Sequence, residues 1–318
     1  MQVISVNGAS SLGRAVIVIA LALLTALACA EGRQSGDRRL SAGRTGVPAG
    51  AKALGYTKCI INERPKASDI APGKNGPYKW FSGQWYAGEG PSLDHYRTED
   101  GVLAISLGGD LVSTPRDFSA GKLPLLPGSD GFYVEFEVRL SDNDPDHWPA
   151  VWLLPAEHNS RQEDHYEGDP PGYERFMEFD IDEGGFGPGL TGTVHNWRGV
   201  WTKEKGYPEH EQNPNNVSTV PLDRSRWHTF GGSYDPVRQR VAWWLDGVEQ
   251  MSAGPPYVPE VASKQHFYLI MSCQSHGANK PYDMFVRAVR AYIPAKPKRA
   301  STERDGGPTR YTRARLSN

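Results

Sequence analysis

The residues best spaced for acid–base chemistry lie in Met177-Glu178-Phe179-Asp180-Ile181-Asp182-Glu183. On an extended strand alternate side chains face opposite ways. Met177, Phe179 and Ile181 can therefore enter a core while Phe176, Glu178 and Asp180 line the other face. Glu183 stands five residues from Glu178 and breaks that parity. It rejoins the acidic face when one residue near Ile181 or Asp182 is absorbed by a β-bulge, and the pattern predicts that bulge. A solvated acidic edge strand is the competing reading of the same residues.

Carboxylates crowded on one face resist full ionisation, so at least one is held above its ordinary pKa. One ionised and one protonated carboxyl, about 5 to 5.5 Å apart, is the pair that splits a glycosidic bond with retention. On an ideal strand four net positions span about 13 Å between Cα atoms, so the strand must curve and the glutamates lean together. In that arrangement Glu178 is the nucleophile and Glu183 the acid and base. Asp180, shorter and between them, shares a hydrogen bond or a proton with Glu178.

Strands must position these groups, and the middle of the chain reads as strands parted by Gly, Pro, Asn and Asp clusters. Phe132, Val134, Phe136, Val138 and Leu140 alternate with Tyr133, Glu135, Glu137 and Arg139, the pattern of a half-buried strand. Val241, Trp243 and Leu245 repeat it, and residues 267–271 form a short apolar run suited to a sandwich interior. No long helical period occurs. The strands predict an all-β sandwich of two antiparallel sheets with one concave face.

Next to the acids, Thr193, His195 and Trp197 share one strand face, so a neighbouring strand can bring His195 and Trp197 beside Glu178. Sugar rings present C–H faces that stack on aromatic rings. Trp148 and Trp152, of equal parity, and Phe176, two residues before Glu178, are with Trp197 the candidate platforms. Trp227 and Trp243 are read as core. The loop over residues 157–174 carries His158, Glu163, Asp164, His165, Glu167 and Asp169 in irregular spacing, and reads as a groove wall rather than a metal site. Residues 184–192 contain a formal G-x-G-x-x-G, but Pro188 interrupts it and a strand follows where phosphate binding needs a helix N-terminus.

The 318 residues carry a net charge of −2, with a pI near 6.5, which argues against nucleic acid as a partner. All nine Trp fall between Trp80 and Trp244. Residues 1–30 have the form of an export signal: Arg14, an apolar run over residues 15–24, then small residues. Ala26-Leu27-Ala28-Cys29 is similar to a bacterial lipobox with Cys29 lipidated, although Leu stands one place late. Cleavage after Ala30 serves equally, so secretion and membrane anchoring both remain open. Residues 31–56 read as a flexible linker and residues 295–318 as a basic disordered tail. Export permits a disulfide between Cys59 and Cys273, against a buried free thiol at Cys273.

The hexad over residues 178–183 resembles the E-x-D-x-x-E signature of glycoside hydrolase family 16 in its bulged, laminarinase-, agarase- and carrageenase-like form. Further matches follow in the family's order. They are Glu137-Val138-Arg139, the run from Trp148-Pro149-Ala150 to Leu154-Pro155, Thr193-Val194-His195, Trp244-Leu245-Asp246-Gly247 and Val289-Arg290-Ala291-Tyr292. The resemblance covers residues 57–294. It implies a concanavalin A-like β-jelly roll whose concave face forms the cleft, and a cleft role for His195. It further implies a monomeric, retaining endo-hydrolase of a β-linked polysaccharide, β-1,3-glucan first, that needs no cofactor. Some family members hold a structural calcium through an Asp before V-R-x-Y; Arg287 stands there, which argues against calcium. Open alternatives are a lectin-like carbohydrate-binding protein, a hydrolase of algal galactans and a transglycosylase.

Overall fold

The structure, a computed structural model, describes residues 46–85, 90–118, 121–160, 166–214, 216–217, 221–277 and 280–296. The export signal with Cys29, most of the linker and nearly all of the basic tail lie outside the described residues, as do Glu163, Asp164 and His165.

Two antiparallel sheets pack face to face. The first runs β15 (Val248–Ala253), β14 (Arg240–Leu245), β13 (His228–Asp235), β7 (Phe132–Leu140), β17 (Asp283–Pro294), β4 (Val102–Ser106), β3 (Tyr96–Glu99), with β1 (Tyr56–Glu63) also on β17. The second runs β11 (Glu209–Gln212), β10 (Thr191–Val200), β9 (Tyr173–Glu183), β8 (His147–Pro155), β16 (His266–Ser275), β5 (Gly109–Val112), β2 (Phe81–Ser82). Two short strands extend it, β12 (Asn216–Val217) on β10 and β6 (Leu126–Pro127) on β16. This is the two-sheet antiparallel sandwich the alternation predicts, in the jelly-roll form the resemblance implies.

The core lies between the sheets. Phe132, Val134 and Phe136 of β7 meet Met177, Phe179 and Ile181 of β9 and Phe267, Leu269 and Met271 of β16, all essentially without exposure. Each such side chain stabilises the fold by roughly 1.5–3 kcal/mol. Trp243 joins this core as expected, whereas Trp227 is only half-buried, its ring covered by the guanidinium of Arg287 at 4.0 Å.

Two expectations are corrected. The outer face of β7 is not open to water: Glu135 is 1% and Glu137 7% exposed. Arg290 pairs with Glu135 at 3.1 Å and Arg287 with Glu137 at 2.9 Å, so cations from β17 let the acids leave solvent. The linker also ends earlier than residue 56. The chain divides after Val47, helix α1 (Ala49–Ala53) follows, and Tyr56, fully buried, donates its hydroxyl to the Tyr234 carbonyl at 2.7 Å.

Cys59 and Cys273 are both free thiols, so of the two alternatives left open the structure has the unbonded one. They sit on different sheets, Cys59 exposed on β1 and Cys273 buried on β16. Burial pushes the Cys273 thiol up to about 12, so it stays protonated and inert. Among the described residues no helix is long and apolar enough to cross a membrane.

Candidate active site

Strand β9 is central in the second sheet, and its register carries the predicted irregularity. Val151 of β8 pairs with Asp182 while Trp152 pairs with Asp180, which leaves Ile181 as the extra residue of a bulge. Ile181 and Asp182 consequently both leave the groove face. Ile181 enters the core, and Asp182, 3% exposed, meets Arg224 in a two-pronged ion pair at 2.5 and 2.9 Å. Glu183 is returned to the same face as Glu178 and Asp180, opposite Ala150.

Each glutamate is held by one indole. Trp148 donates its N–H to Glu183 Oε1 at 2.8 Å, and Trp197 donates to Glu178 Oε2 at 2.7 Å. Asp180 is tied to His195, whose Nε2 lies 3.0 Å from Oδ2. A carboxylate oxygen of Glu178, one of Asp180 and a ring nitrogen of His195 all fall within 4.8 Å of one another. From the core side, Trp243 donates to the Asp180 backbone carbonyl at 2.7 Å.

Crowding and loss of water act on these groups together. Burial, then the Asp180 charge, raises Glu178 to about 7. Asp180 is raised well above the carboxylate range by burial and by Glu183, and Glu183 is raised chiefly by burial. The trio thus carries fewer than three charges near neutral pH. Asp180, raised by burial and by Glu183 together, can hold a proton, and once it is neutral it no longer opposes ionisation of Glu178. Burial lowers the His195 imidazole, which keeps it neutral.

Two cavities meet at Glu178 and Trp152. The larger, about 640 Å³, is walled by Trp85, His158, Glu174, Phe176, Trp197, Trp201 and Tyr207. The smaller, about 400 Å³, contains Asp180, Glu183 and Trp148, and beyond them Gln84, Asp110, Ser272 and Gln274. Asp110 accepts from the amides of Gln84 and Gln274, each at 2.9 Å, so a carboxylate that can only accept turns both amide nitrogens inward.

The expected platforms Trp148, Trp152, Phe176 and Trp197 all line these cavities, but with less open ring surface than the sequence leads one to expect. Phe176 is 4% and Trp152 7% exposed. Histidines already lie parallel on three of the rings: His276 on Trp148 at 3.9 Å, His158 on Phe176 at 3.7 Å and His210 on Trp197 at 3.6 Å. Among the described aromatic residues that line the two cavities, Trp201 is the exposed one, at 54%.

Sequence reasoning missed Trp201, Tyr207, His210, Asp110, Ser272 and Gln274. Parity offered a signal for some: Trp201 continues the face of His195 and Trp197, and Ser272 and Gln274 alternate with the buried Met271 and Cys273. For His210 and Asp110, on short strands, no pattern stood out. The loop wall was located correctly in His158, which sits on the short helix α2 (Ala156–Ser160).

No family model matches the chain, and no curated protein matches it in sequence. Solved structures do. An endo-1,3-β-glucanase from Streptomyces sioyaensis is 17% identical with a TM-score of 0.46, covering 79% of this chain and 99% of that one. The laminarinase catalytic domain from Thermotoga maritima is 15% identical with a TM-score of 0.45, covering 75% and 99%. The κ-carrageenase from Pseudoalteromonas carrageenovora is 14% identical with a TM-score of 0.43, covering 64% and 83%. At such values the likeness assigns neither substrate nor catalytic residue to this chain; its own groove must do so.

Proposed function

We propose that this protein is a retaining endo-glycoside hydrolase that cleaves a β-linked polysaccharide lying across the outer face of the second sheet. The observation that carries this reading is the bulge at Ile181, which puts Glu178 and Glu183 on one groove floor with an indole N–H on each. Glu178 attacks the anomeric carbon, and Glu183 protonates the departing oxygen. A glycosyl ester forms on Glu178; Glu183, now ionised, takes a proton from water as that water releases the sugar. Asp180, with an oxygen within 4.8 Å of one of Glu178, tunes the charge on the nucleophile as the oxocarbenium-like state develops. The route uses no cofactor.

A neutral glycan fits better than a sulfated one. The described residues lining both cavities include Asp110, Glu174, Glu178, Asp180 and Glu183 but no Lys or Arg, so a sulfate would meet carboxylates. We take β-1,3-glucan as the first substrate, encountered outside the cytoplasm after export through residues 1–30.

Purified protein incubated with β-glucans and algal galactans should release reducing ends from a neutral β-glucan, with β-anomers appearing first by proton NMR. Glu178→Gln should abolish release while leaving the fold intact. Initial α-anomers would overturn retention. Tight glycan binding with no cleavage by the wild type would make the protein a sugar-recognising sandwich instead.

A further inference from the structure

We propose that His210 is the outer end of a proton relay that links Asp180 to solvent through His195. The relay's purpose rests on the hydrolase reading above; its existence rests on geometry alone. His195 Nε2 is 3.0 Å from Asp180 Oδ2, and His195 Nδ1 is 2.7 Å from His210 Nε2. His210, on β11, is exposed to solvent. It lies directly across from Trp197, its ring stacked on the indole at 3.6 Å and 5° from parallel. The same indole holds Glu178, so one side chain fixes the nucleophile and the end of the relay.

Two imidazole nitrogens at hydrogen-bond distance need one hydrogen between them, which restricts the row to two arrangements. In the first, His210 Nε2–H donates to His195 Nδ1, and His195 Nε2–H donates to an ionised Asp180. In the second, protonated Asp180 donates to His195 Nε2, His195 Nδ1–H donates to His210 Nε2, and His210 carries its hydrogen on Nδ1. The two differ by one proton. Added at His210 Nδ1, it reaches Asp180 by two shifts: His210 Nε2 gives its hydrogen to His195 Nδ1, and His195 Nε2 gives its own to Asp180. Every contact keeps a hydrogen throughout.

The charged and titratable groups around the row suit this. His195 faces Glu178 and Glu183 as well as Asp180 on β9, and His210 on β11; His210 also has Glu211 beside it on its own strand. Burial keeps His195 below its ordinary pKa, and burial with His195 as neighbour lowers His210 to about 4. Both rings are therefore neutral at rest, the state in which either nitrogen can accept.

Turnover gives the relay its task. When Glu183 gives its proton to the departing oxygen, the charge it gains raises Asp180, which can take up a proton through the row. When Glu183 takes a proton from the attacking water that repulsion falls, and the proton on Asp180 can leave by the same route. A glycan in the groove blocks water from the front, whereas His210 opens at the strand's flank.

Substituting His210 tests the use of the relay. His210→Ala should lower kcat about tenfold near neutral pH, less than a direct acid or base contributes because His210 acts through His195 and Asp180, with KM unchanged. Imidazole added to the buffer should restore most of that loss. His210→Gln, which can donate to His195 but cannot pass a proton on, should be equally slow. Wild-type kcat in either folded variant, or a loss that imidazole leaves untouched, overturns the relay. Nitrogen-15 NMR of the wild type tests its existence independently: the rings of His195 and His210 should change tautomer in one shared titration that Asp180→Asn removes. Separate titrations overturn it. A shared titration in a protein that cleaves no glycan would leave the relay standing and remove the hydrolase reading.

Discussion

Trp243 passes through the sandwich core and donates its indole N–H to the backbone carbonyl of Asp180 at 2.7 Å. The indole can lie there because residue 192 is glycine: a Cβ at Gly192 would stand 2.1 Å from the ring. A fully buried core residue thereby fixes the backbone of the reactive strand one step before its bulge, and the glycine-rich segment that imitates a phosphate loop has a packing reason instead.

Trp243→Phe should destabilise the fold by about 2–4 kcal/mol, through the lost ring volume and an unsatisfied buried carbonyl. It should also lower kcat more than it raises KM, because the bulge loses its anchor. Gly192→Ala should cost about 1–3 kcal/mol by overpacking against the indole. Urea unfolding beside steady-state kinetics checks both; unchanged midpoints would remove Trp243 from this role.

Stability should respond to pH through Glu178. Its folded pKa is raised from 4.5 to about 7, so ionising it disfavours the native state, beginning above the unfolded value and complete above the folded one. Glu178→Gln should therefore match the wild type in acid and exceed it by up to about 3 kcal/mol in mild alkali. Denaturant midpoints across that range decide the matter, and a variant no more stable in alkali would contradict the assigned burial.

The two indole donors should appear as separate limbs of the pH–rate profile. Trp197→Phe removes a hydrogen bond that lowers Glu178, so the acidic limb of kcat/KM should move up by roughly one unit, equivalent to about 1.4 kcal/mol. Trp148→Phe should raise the alkaline limb, which belongs to Glu183. Limbs that stay in place in both variants would show that neither bond tunes its acid.

Trp201 offers an open ring to the larger cavity. Trp201→Ala should raise KM for a long polysaccharide about fivefold, the loss of about 1 kcal/mol of stacking. It should leave KM for the shortest cleaved oligosaccharide, and the melting temperature, unchanged. Equal effects on long and short substrates would place the ring closer to the cleaved bond.

The layered fold and the acid trio were legible because both depend on parity. The alternation in residues 132–140 specifies a core face, and the odd spacing of Glu183 from Glu178 specifies a bulge. What parity cannot convey is what lies above a face. Glu135 and Glu137 read as solvated because Arg287 and Arg290, which cover them, come from a strand about 150 positions later. The platform rings read as open because stacked histidines at 158, 210 and 276 are brought to them only by folding. Cys59 and Cys273 were compatible as a pair in composition, but the sequence does not state that they occupy different sheets.

The Arg224–Asp182 pair also bears on how the strand chooses its alignment. Without the extra residue, β9 would turn Asp182 toward the groove and drive Glu183 into the interior, and Arg224, 6% exposed, would be left without a counter-ion. A guanidinium stranded in hydrocarbon is worth several kcal/mol against that misalignment. Arg224 thus acts as a proofreader of strand pairing, admitting the one offset in which both glutamates stay outside.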